Sequence, residues 1–125
     1  VNELETQTVV IDKRFGSQYE GSYEFKQITQ GEYERILLSY MDAGGKVAKQ
    51  DILKVNREAM WTALKSQPDS KPLNRDLIIQ GRLPYGLSLK LQEAYDKVNG
   101  IEMDERRFLS SPSDENNPTP SSQSS

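Results

Sequence analysis

Cysteine and histidine are both missing from this chain of 125 residues. Without cysteine there is no disulfide to staple the fold, no thiolate nucleophile and no zinc arrangement built on sulfur, a composition that suits a reducing compartment. Without histidine the chain lacks the one side chain whose ordinary pKa lies near neutrality, and the commonest transition-metal ligand. Ser-His-Asp and Cys-His catalysis are excluded by composition alone. The chain therefore reads as a non-enzyme, with no catalytic, cofactor-binding or metal-ligating residue to name.

Four further absences narrow the partners. Lys and Arg number 16 against 19 Asp and Glu, a net charge of -3, and the signs are interleaved, so no basic field attracts nucleic acid. No apolar run approaches the ~20 residues of a membrane-spanning helix. The opening Val1-Asn2-Glu3-Leu4-Glu5 is acidic where a secretory signal is basic and then apolar. No membrane is expected, and the localisation read from this is cytoplasmic. The eight glycines fit neither a P-loop nor a G-x-G-x-x-G turn after a strand, so nucleotide binding has no support.

What is present is one domain's worth of patterned sequence. Thr6 to Asp12 is rich in β-branched residues, and Tyr19 to Lys26 alternates, with Tyr19, Gly21, Tyr23 and Phe25 on one face. Lys13-Arg14-Phe15-Gly16-Ser17 is short enough to return the chain, which predicts an antiparallel hairpin over about 6–27. Thr29-Gln30-Gly31-Glu32 has the form of a capping box, followed by a stripe of Tyr33, Ile36, Leu37, Tyr40 and Met41 that Gly44-Gly45 should end: a helix over about 29–43. A second helix is expected over about 47–66, with Ile52, Val55, Ala59 and Ala63 on one face and Leu53, Met60 and Leu64 on an adjoining one. After the break Gln67 to Pro72 comes a short helix near Leu73–Gln80. A last helix over about 84–99 carries Leu87, Leu91, Ala94, Tyr95 and Val98 and stops at Asn99-Gly100.

The fold class is thus α+β: an N-terminal antiparallel β-hairpin followed by three to four α-helices, as a single domain over 1–109. Glu102 to Leu109 could add one helical turn. Residues 110–125 are Ser, Pro, Asn, Asp and Gln without a hydrophobic anchor, which predicts a disordered polar tail.

Function has to be sought in apolar and aromatic surface. Tyr23, Phe25, Tyr40, Trp61 and Tyr95 are the candidates for partner binding, each of them serving either the core or a contact surface. The aromatic strand could stack on bases, but Glu20 and Glu24 beside it favour packing. Acidic pairs such as Glu20 with Glu24 or Asp104 with Glu105 could hold a cation, though solvated charges explain them adequately. Arg106-Arg107-Phe108 could dock on carboxylates or simply be a solvated end.

The strings Val9-Val10-Ile11-Asp12-Lys13, Tyr19 to Phe25, Thr29-Gln30-Gly31-Glu32, Leu83-Pro84-Tyr85-Gly86-Leu87 and Tyr95 to Ile101 give a layout that resembles small tail-assembly proteins of tailed viruses or prophages. The resemblance implies a tail-assembly chaperone without catalytic residues, which would shield apolar segments of a tail-tube or tape-measure protein in the host cytoplasm. Two alternatives stand beside it. One is a structural subunit joined to its neighbour through the hairpin edge, and the other a carboxylate-based metal-binding protein or enzyme. A homo-oligomer is compatible with the first two.

Overall fold

β-Branched residues open the chain as an extended strand, and the aromatic alternation after the turn supplies its partner. The structure, a computed structural model, describes residues 5–101. The turn expected at 102–109 and the polar tail 110–125 lie outside the described residues. Strands β1 (Thr6–Ile11) and β2 (Gly21–Lys26) form the antiparallel hairpin, with Val9 opposite Tyr23. Helices α1 (Gln30–Ser39) and α2 (Lys49–Ala63), strand β3 (Leu64–Ser66), and helices α3 (Arg75–Ile79) and α4 (Tyr85–Asn99) follow. The sheet order is β1-β2-β3, antiparallel throughout, and the fold is α+β.

The hairpin turn is built of two 3₁₀ turns, Lys13–Phe15 and Ser17–Tyr19, hinged at Gly16 with φ of 120°. Asp12 opens the first by accepting a hydrogen bond from the Arg14 amide at 3.0 Å. Strand β2 consequently begins at Gly21 instead of the expected Tyr19. Tyr19 belongs to the turn, and its carbonyl accepts the Tyr23 hydroxyl at 2.7 Å.

The capping box of α1 is present. The Thr29 hydroxyl accepts from the Glu32 amide, and the Glu32 carboxylate accepts from the Thr29 amide at 2.8 Å, which holds its pKa below the ordinary glutamate range. The helix ends at Ser39, several residues before the double glycine. The stop comes from closure of the following loop: Met41 bridges Val47, and Asp42 Oδ1 accepts from the Gly44 and Lys46 amides. Gly45, at φ of 81°, turns that loop instead of capping the helix.

Helix α2 also ends earlier than helix propensity predicts. Leu64–Ser66 extends and pairs with β2, Leu64 opposite Phe25 and Ser66 opposite Glu24. The unpaired backbone groups of β2 outweigh local propensity there. Helix α4 runs as expected and closes in a Schellman motif, with Gly100 left-handed and Ile101 N–H donating to Asp96 C=O.

The sheet's inner face, Ile11, Tyr23 and Phe25, packs under Leu87, Leu91, Ala94, Tyr95 and Val98 of α4, and Ala59, Met60 and Ala63 of α2 close the side. Asn99 stitches the end of α4 to the chain leaving β2, accepting from the Ile28 amide at 2.9 Å and donating to Lys26 C=O. Helix α1 contributes no fully buried residue. No helix among the described residues is long and apolar enough to cross a membrane.

Candidate protein-binding groove

The five aromatic candidates divide by burial. Tyr23, Phe25 and Tyr95 are core residues, each 2% exposed or less, so they cannot touch a partner while the domain is folded. Trp61 is half-buried against the same core. Tyr40 is half-buried and donates its hydroxyl to Glu58 Oε1 at 3.0 Å, while Arg75 grips the same carboxylate with two nitrogens at 2.8 and 3.0 Å. Burial and the Glu58 carboxylate raise the Tyr40 pKa. Glu58 thereby ties the end of α1 and the start of α3 to α2. Tyr40 is a clamp first, with limited surface to offer.

The accessible apolar surface lies elsewhere. Leu53, Arg57 and Met60 recur at helical spacing along one side of α2, and Tyr85, Leu89 and Gln92 do so along α4. The two stripes line a groove of about 540 Å³, bounded by Ile78, Gly81 and Leu83 in and after α3. That is the size range of a ligand or side-chain pocket. Tyr85, Leu89 and Leu53 are 78%, 50% and 42% exposed, so three of the five exposed large hydrophobic residues among the described ones sit on this one feature.

One charge enters the groove. Arg57 is half-buried and donates Nη1–H to Ile79 C=O at 3.1 Å. Its guanidinium lies flat against Gly81, where a Cβ would stand 3.1 Å from the guanidinium carbon; φ of 70° at Gly81 favours glycine as well. Among the described residues no carboxylate lies within ion-pair distance of Arg57, and none lines the groove. Among the described residues Arg57 is thus a pinned cation without a carboxylate partner, beside Leu53, Leu83 and Leu89.

The loop between α1 and α2 offers a weaker case for a cation. From Tyr40 to Asp51 it has glycine sixth and a carboxylate twelfth, the spacing of a calcium-binding helix–loop–helix. The first position is Tyr40 and the fifth Gly44, and the Asp42 carboxylate is occupied with backbone amides. Among the described residues no group of three acidic side chains converges.

Leu53, Arg57, Leu83, Tyr85 and Leu89 were not among the candidates, although for Leu53 and Leu89 a signal existed. Leu89 is two residues from both Leu87 and Leu91, so it falls on the opposite side of α4 from the core stripe. Leu53 extends the apolar arc of α2 beyond what one core face uses. Arg57 carried no signal, because only the fold brings it to Gly81. Comparison with protein-family models, with characterised proteins and with solved structures found no match to this chain.

Proposed function

We propose that this chain is a non-catalytic protein-binding assembly factor that holds a short apolar, carboxylate-bearing segment of another protein in the groove between α2 and α4. The single observation behind the reading is the gathering of exposed Leu53, Tyr85 and Leu89 around Arg57, which has no carboxylate partner among the described residues. Leucine and tyrosine faces gain from losing water, and the buried part of the occupant supplies the area. Arg57 selects which apolar segment is held, since an occupant without a carboxylate would leave a guanidinium desolvated and unmatched.

An amphipathic helix laid in the groove is the occupant proposed, because the lining residues of α2 and of α4 each recur one helical turn apart. The layout's likeness to tail-assembly proteins makes a tail-tube or tape-measure segment the first partner to try, with the work done in the cytoplasm of an infected host. Chaperoning of such a segment needs a small body with one apolar groove and no chemistry of its own.

The test is fluorescence anisotropy against an overlapping peptide array covering those two tail proteins. Binding should concentrate in segments that combine leucine-like residues with Asp or Glu. Leu89→Asp and Arg57→Gln, each checked for native circular dichroism, should weaken it about tenfold or more. Equal binding by both variants would overturn the reading.

A further inference from the structure

Among the described residues β1 and β3 are the edges of the sheet, and the two are built differently. Strand β3 is three residues long, carries Lys65, and meets β2 through an irregular register, all of which discourage further pairing. Strand β1 is six residues, Thr-Gln-Thr-Val-Val-Ile, regular against β2 along its full length, with neither charge nor proline nor bulge, and Val10 is 73% exposed. Such an edge is normally protected unless it is used. We infer that β1 pairs antiparallel with β1 of a second copy of this chain, joining two three-stranded sheets into one; this surface is separate from the groove.

The register follows from symmetry and charge. Antiparallel neighbours related by a twofold axis must have the axis normal to the sheet, and opposed residues share a face, so the pairing is centred on a residue. Centring on Val9 sets Thr8 of one copy beside Val10 of the other and Gln7 beside Ile11. It also brings exposed Glu5 of each copy opposite exposed Lys13 of the other, at both ends. Centring on Thr8 would instead set Glu5 against Ile11, which is buried in the core. The second copy is favoured as the partner because the strand's own end charges, Glu5 and Lys13, then match at both ends of the pairing without any residue from outside this sequence.

Sedimentation equilibrium of the full chain, from micromolar to millimolar, tests the inference. Wild type should associate as a dimer. Val10→Lys, at a site the monomer leaves in water, brings two lysines into diagonal reach across the axis and should weaken the dimer roughly tenfold or more. Val10→Glu should do the same, and an equimolar mixture of the two variants should recover dimer, because the diagonal pair then attracts. Wild type that stays monomeric throughout, or variants that dimerise as well as wild type, would overturn it. Failure of the groove reading leaves this result unaffected.

Discussion

Removing one oxygen from Tyr23 should change how stability depends on alkali. The side chain is fully buried in the middle of the sheet's inner face, and its hydroxyl donates to Tyr19 C=O. At neutral pH, Tyr23→Phe loses that bond and leaves the carbonyl short of a donor, a cost of about 1 kcal/mol. Alkali reverses the comparison. Burial, and next the neighbouring Tyr19 phenol, push the Tyr23 pKa up to about 12 from an ordinary 10.0. The folded state therefore keeps the proton that the unfolded chain gives up. Stability from the neutral phenol is complete below pH 10 and is lost as pH rises towards 12. The rise from 10.0 to about 12 sets a ceiling of about 3 kcal/mol on that loss. Urea denaturation followed by circular dichroism at steps between pH 8 and pH 12 reads this out, in the range set by the shift. The phenylalanine variant should start less stable and lose less, so the two curves converge. Parallel losses would refute the placement of Tyr23 as a buried donor.

Other consequences are local. Gly86→Ala would put a Cβ 2.6 Å from the Phe15 ring, so thermal unfolding should show a loss of about 1–3 kcal/mol, mostly restored by adding Phe15→Leu. Asn99→Ala strands the Ile28 amide and loosens the end of α4 from the sheet, and a cost of about 1–3 kcal/mol in the urea midpoint is expected. Helix α1, with no fully buried residue, should exchange its amide hydrogens well before α4 does. Glu58→Ala should widen the gap by freeing Tyr40 and Arg75.

Much of the fold was legible because it rests on local rules. The β-branched run, the alternation around Tyr23 and Phe25, the Thr29–Glu32 capping box and the Asn99-Gly100 stop each act within a few residues, and each appears in the structure. Where the reading failed, a distant partner decided. Leu64 to Ser66 are good helix residues drawn into extension by the open edge of β2. Helix α1 stops for a loop closed by Asp42, which no periodicity announces. The site was less visible. Aromatic residues draw attention in a sequence, yet their size makes them the first to be buried, as Tyr23, Phe25 and Tyr95 are. Surface apolar residues are recognised only once the core has been assigned, as Leu89 and Leu53 illustrate, and Arg57 becomes notable only beside Gly81.

The groove itself is best tested residue by residue, by titrating the full chain with a peptide that combines leucine-like residues with a carboxylate and following backbone and side-chain NMR shifts. Perturbations should concentrate at Leu53, Arg57, Leu83, Tyr85 and Leu89, with the Arg57 Nε–H resonance moving only when the peptide keeps its carboxylate. Shifts confined to α1 or to the outer face of the sheet, with these five residues unmoved, would contradict a binding role for the groove.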